Sequence, residues 1–210
     1  MFSLFKPTTA TLRRVIAEQS SLDFTYPAVG ATASLLFPLG EGGGEGASIT
    51  PNTLPEGYVV DRTRVELGKG SDVFARAKTA LEHWKQFDLG WLEAYPSDTF
   101  LRKGETVVVV ARAGGLWWTN AARIVYTIDD QSNESSRFGF AYGTLPGHVE
   151  SGEERFLIEW NRATDLVLFD ILAFSRPRHL LVRLNRRRAR AMQKRFAAES
   201  AAAMQRAAAS

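Results

Sequence analysis

The sequence predicts an α+β protein in which a curved antiparallel sheet of about six strands wraps around a long C-terminal helix. Two observations carry this. The element order reads strand, helix, five strands, long helix. The five successive strand runs are separated only by short turns rich in Gly, Asp, Asn or Ser, as in an antiparallel meander. An open α+β sandwich with both helices on one face is the alternative architecture.

Taken in order, residues 8–20 (TTATLRRVIAEQS) have the spacing of a short helix, with Leu12, Val15 and Ile16 on one side and Thr8 or Thr9 as cap. An irregular segment follows, broken by Pro27 and Gly30, and the GEGGGEG run at 40–46 has the composition of a flexible loop. Tyr58–Leu67 alternates as a strand: Val59, Asp61, Thr63, Val65 and Leu67 share one face, Tyr58, Val60, Arg62 and Arg64 the other. Gly68–Ser71 then turns the chain into a helix capped by Ser71 or Asp72. Its apolar stripe is Val73, Ala77, Ala80, Trp84, Phe87 and Trp91, and Gly90 and Pro96 end or divide it.

The five strand runs are Glu105–Arg112, Trp117–Ile128, Arg137–Leu145, Gly152–Trp160 and Asp165–Phe174. Pro177 is read as opening the final helix, which buries Leu181, Leu184, Met192, Phe196 and Ala203. The domain division expected is 1–57, an N-terminal helix and irregular Gly/Pro-rich segment packing on the core, and 58–210, a single domain.

The chain has 210 residues, 45% of them hydrophobic, enough for one well-buried core. No cysteine occurs, which removes disulfides, thiolate nucleophiles and iron–sulfur clusters. The three histidines (His83, His148, His179) lie far apart, so a His-based metal site would need help from carboxylates, and no metal or cofactor is expected. The start does not have the form of a signal peptide, and the apolar run Leu166–Phe174 is too short to span a bilayer and contains Asp170. The expectation is a soluble, cytoplasmic protein. The net charge of +3 is uneven: Arg176–Ser210 holds ten Lys/Arg and one acid, which leaves a mildly acidic body with a basic tail.

Four segments carry a family resemblance: TYPAVGAT (25–32), LPEGYVVDRTRVELGKG (54–70), RFGFAYGTLPGHVESGEERF (137–156) and AFSRP (173–177). Together they resemble the domain of unknown function 1990 family, also called uncharacterised protein family 0548, found in bacteria and plants. The Gly-rich stretch 33–52 departs from that pattern as an insertion. The resemblance implies a compact single domain and carries over no catalytic residue. The element order is also similar to the helix-grip folds of START and Bet v 1 type, which hold apolar ligands between sheet and terminal helix. That likeness bears on fold more than on function.

Several residues are candidates for chemistry. The GKGS turn at 68–71 departs from both the dinucleotide fingerprint and the Walker A spacing, and Asp72 would repel an anion, so it is read as a plain turn and cap. Glu150, Glu153 and Glu154, with His148 nearby, form the best acid–base set. Alternation puts Glu154 on the side of Phe156, Ile158 and Trp160, and Glu153 with Arg155 and Glu159, so Glu154 is expected to point inward. Asp170 interrupts an apolar strand and needs a partner, for which Arg62 and Arg123 are available. Tyr142, Thr144, Trp118 and Tyr126 offer aromatic area and hydroxyls for a pocket wall, although strand aromatics commonly form plain core.

Three function classes follow. The leading expectation is a protein that binds a small apolar or aromatic ligand through Tyr142, Thr144, His148, Glu154, Asp170 and Arg123, in a cavity above about 300 Å³. The second is an enzyme using Glu154, Asp170 or His148 as acid or base. The third is an adaptor whose basic helix, through Arg183, Arg186, Arg187 and Arg190, meets nucleic acid, an anionic membrane or a partner protein.

Overall fold

The computed structural model describes residues 2–33, 57–179 and 185–209. Among these residues eight antiparallel strands form one sheet: β1 (Phe2–Ser3), β2 (Val59–Lys69), β3 (Leu92–Tyr95), β4 (Thr106–Ala113), β5 (Leu116–Gln131), β6 (Ser135–Thr144), β7 (Glu150–Asn161) and β8 (Leu166–Pro177). The order is β2-β8-β7-β6-β5-β4-β3, with β1 paired to the start of β5. The meander from β4 to β8 follows the sequence reading, and β2 closes the sheet against β8.

Register shifts at Glu66/Gly68 in β2 and Ile124/Tyr126 in β5 mark bulges, which bend and twist the strands that hold them. The sixteen-residue β5 passes from β4 at its start to β6 at its end. The sheet thereby curves around α3 (Arg186–Ala209), in the helix-grip arrangement.

The helix α1 (Thr9–Gln19) begins where expected, with the Thr8 hydroxyl accepting from the Thr11 amide at 3.2 Å. Leu12 and Val15 pack with Val108, Val110, Ala121 and Leu145 on the outer face of β4–β5. The main core lies on the inner face, where Phe140, Phe156, Ile158 and Phe169 meet Ala77 and Leu81 of α2 (Gly70–Glu82) and Met204 and Ala208 of α3.

Four sequence readings are corrected. The strand number rises from about six to eight because β1 and β3 are too short to show a periodicity. Lys69, not Ser71 or Asp72, holds the cap position of α2 and makes no side-chain cap bond. The helix stops at Glu82 because Trp84 adopts a left-handed conformation (φ 54°), after which Lys85–Phe87 forms a 3-10 turn and Trp91 leads into β3. Pro177 closes β8 instead of opening the last helix, which starts at Arg186. The expected burial of Leu181 and Leu184 lies outside the described residues.

Candidate functional site

Alternation along β7 sends consecutive acids to opposite faces. Glu153 points outward and is 2% exposed. It accepts from the Tyr26 hydroxyl at 2.8 Å, the Gly30 amide at 2.7 Å, the Thr32 amide at 3.0 Å and the Thr32 hydroxyl. Two of the segments behind the family resemblance thus meet: TYPAVGAT wraps over the outer face and closes on the first acid of SGEE. Gly143 makes room for this, since a Cβ there would lie 2.1 Å from the Tyr26 hydroxyl.

Glu154 points the other way, into a cavity of about 720 Å³ between the sheet and the first half of α3. Its apolar wall includes Trp91, Val109, Trp118, Ile171, Met192 and Phe196. Toward the other end of α3 the same layer closes into the solid core around Met204 and Phe169.

Polar groups gather on the β7 side of the cavity. The Tyr142 hydroxyl donates to Glu154 Oε2 at 2.6 Å. Gln193 Nε2 donates to Glu150 Oε1 at 2.6 Å and to the Ser175 hydroxyl at 3.1 Å. Arg190 grips Asp61 through both terminal nitrogens, one at 2.6 Å. His148 Nδ1 accepts from the Glu150 amide at 3.0 Å.

Burial sets the protonation of this wall. Loss of solvent pushes the Glu154 carboxyl up to about 7, against the opposing pull of the Tyr142 hydrogen bond. Burial raises Glu150 as well, and takes His148 down to about 4, so the imidazole is neutral. The Tyr142 hydroxyl is pushed well above its ordinary range by burial and by Glu154, and stays a donor.

Of the six residues named from sequence as ligand-binding, Tyr142, Thr144, His148 and Glu154 come together on the cavity wall. Asp170 and Arg123 are elsewhere. Asp170 is 1% exposed on the outer face, where Arg62 Nε donates to it at 2.9 Å, with Arg155 at 3.5 Å and Arg64 at 3.8 Å. Arg64 and Arg137 flank it through Glu159. Arg62 is therefore its partner. Arg123 instead donates to the Ser20 carbonyl at 2.7 Å and stacks on Phe24. Of the pocket aromatics, Trp118 lines the cavity, whereas Tyr126 bonds Thr32 outside it at 2.6 Å.

The basic helix is partly committed within the fold: Arg190 to Asp61, and Arg195 to Glu199 at 2.7 Å and to the Trp91 ring. Arg187, Arg188 and Lys194 are exposed. Arg183 lies outside the described residues. Sequence reasoning missed Trp91, Gln193 and the Asp61–Arg190 pair as parts of the site. Asp61 and Arg190 are 129 positions apart, and no local pattern announces such a pairing.

Among the described residues, no helix is long and apolar enough to cross a membrane, and no group of three or more His, Asp or Glu side chains is placed to hold a metal ion. Fold and site together define an α+β helix-grip protein with a cavity between its sheet and its terminal helix. Residues 25–203 match the family described as "Domain of unknown function (DUF1990)", and the chain belongs to that family. A UPF0548 protein of Dictyostelium discoideum is 34% identical over 95% of this chain and 92% of its own. A UPF0548 protein of Arabidopsis thaliana is 31% identical over 71% and 73%. Among solved structures, major latex-like protein 151 of Panax ginseng aligns over 70% of this chain and 95% of its own, with 14% identity and a TM-score of 0.38.

Proposed function

We propose that this protein binds a small, largely apolar or aromatic ligand between its sheet and α3. The observation that carries this reading is the cavity itself. At about 720 Å³ it falls within the usual range for small-molecule sites. Its walls pair apolar side chains with a few placed polar groups, the pattern that fixes a ligand's orientation.

The test is native mass spectrometry of freshly purified protein, followed by denaturation and analysis of what is released, with titration of the apolar dye Nile red as a second arm. A stoichiometric small molecule, or saturable dye uptake, supports the reading. A clean apo mass combined with no dye uptake overturns it.

A second reading is acid–base catalysis in the same cavity. It is supported by Glu154, whose proton is held near neutral pH next to a fixed hydroxyl donor. It requires a reacting atom within about 3 Å of that carboxyl. A structure of a bound ligand with no labile group there would remove it.

A further inference from the structure

Charge balance in the cavity narrows the ligand class, an inference that rests on the small-molecule reading above. The charged side chains of the wall can be assigned one at a time. Arg62 turns to the outer face and bonds Asp170, and Glu153 turns outward to Tyr26 and Thr32. Asp61 is neutralised by the two-pronged grip of Arg190. Arg188 lies at the rim beside Gly114 and is exposed, as is Lys194.

Glu150 and Glu154 remain. Gln193 and Tyr142, both uncharged, donate to them. Among the described residues, two carboxyl groups thus share one largely apolar cavity, hydrogen-bonded to uncharged donors, while the Arg190 guanidinium that also acts on Glu150 is bonded to Asp61. A buried carboxylate is stabilised by an opposite charge in hydrogen-bond reach. The α3 side of the cavity supplies apolar surface at Met192 and Phe196.

We infer that the cavity takes an organic cation, a protonated amine on an apolar or aromatic body, with the ammonium seated at Glu154 and Glu150 and the body against Trp91, Met192 and Phe196. A carboxylate ligand would oppose ionisation of both acids. A neutral alcohol would leave the acids as they are. Of the three ligand types, the ammonium gives an ionised Glu154 its counter-charge. Its arrival also favours the ionised form of Glu154, which in the empty cavity holds its proton up to about pH 7. Binding of the amine therefore expels a proton near neutral pH.

The experiment compares 4-phenylbutylamine, 4-phenylbutanol and 4-phenylbutanoate by isothermal titration calorimetry at pH 7, in two buffers of different ionisation enthalpy, alongside Nile red. The amine is expected to bind at least about tenfold more tightly than the alcohol and the acid, with proton release that Glu154→Gln abolishes. Glu150→Gln, which leaves the Tyr142–Glu154 pair in place, should weaken the amine and not the alcohol. Equal binding of all three probes, or dye uptake without amine binding, overturns the cation assignment and leaves the cavity reading standing. Exclusion of both dye and amine overturns the two together. The wild-type comparison decides the matter even if a variant fails to fold.

Discussion

Glu153 and Glu154 are neighbours in the chain, yet their carboxyl groups lie on opposite faces of β7 and do different work. The first closes the N-terminal segment over the outer face, where Tyr26, Gly30 and Thr32 donate to it. The second sits in the cavity with one phenolic donor. One strand thus couples the fold's outer latch to its inner site.

Removing the latch should loosen residues 24–33 without emptying the cavity. Glu153→Ala leaves the buried Thr32 amide and the Tyr26 hydroxyl without their acceptor, a loss of about 3 kcal/mol. Hydrogen exchange should show faster amides at 30–33 and an unchanged α3. Protection equal to wild type in that segment would refute the latch.

Gly143→Ala tests the same contact from the other side. Its Cβ would meet the Tyr26 hydroxyl at 2.1 Å and the Phe24 ring at 2.9 Å, so both rings must move off the sheet. A loss of about 2 kcal/mol is expected. In Tyr26→Ala the cost should be smaller, with only the Phe24 contact left, which a double-mutant cycle by urea unfolding will measure.

Asp170 is a structural ion pair. Arg155 beside it is 1% exposed, and Asp170→Ala would leave that guanidinium buried with no counter-charge. The expected cost is about 3–5 kcal/mol, read as a drop in the urea midpoint, with ligand affinity of the surviving folded fraction unchanged. A selective loss of affinity at wild-type stability would return Asp170 to the binding residues.

Two groups of the cavity wall give opposite dependences of stability on pH. Glu154 keeps its proton in the folded state up to about 7 against an unfolded value of 4.5, so the folded protein binds more protons between those limits and stability falls as pH rises through them. His148 resists protonation down to about 4 against 6.5, so stability falls as pH drops from 6.5 toward 4. Between pH 4.5 and 6.5 the two slopes oppose each other. Glu154→Gln should expose the histidine slope, and His148→Asn the glutamate slope, each about 2 kcal/mol across the window after screening by solvent in the cavity. Urea unfolding from pH 4.5 to 7 measures both, and parallel curves for wild type and variants would count against them.

Filling the cavity should separate binding from folding. Ala173 lies opposite Glu154 in the register of β7 and β8 and lines the same space. Ala173→Phe is expected to block uptake of Nile red while changing stability by less than about 1 kcal/mol, because the ring enters an existing void instead of a packed core. Full dye binding by a folded variant would place the occupied space elsewhere.

The alternation of β7 separates Glu154 from Glu153, and the aromatic side chains that share Glu154's parity mark its face as the inner one. Local patterns also located the strands from β4 to β8 and the α1 cap. They could not foresee β1 or β3, which are too short to carry a period, or the end of α2, where the apolar stripe continues through Trp84 and Phe87 after the backbone has turned left-handed. Nor could they foresee Arg190 reaching Asp61, Trp91 donating to Glu199 at 2.5 Å, or Tyr26 closing on Glu153. These pairs join residues more than a hundred positions apart, and their meeting depends on how far the bulged sheet curves around α3. That curvature also decides which part of the layer packs solid and which part stays open.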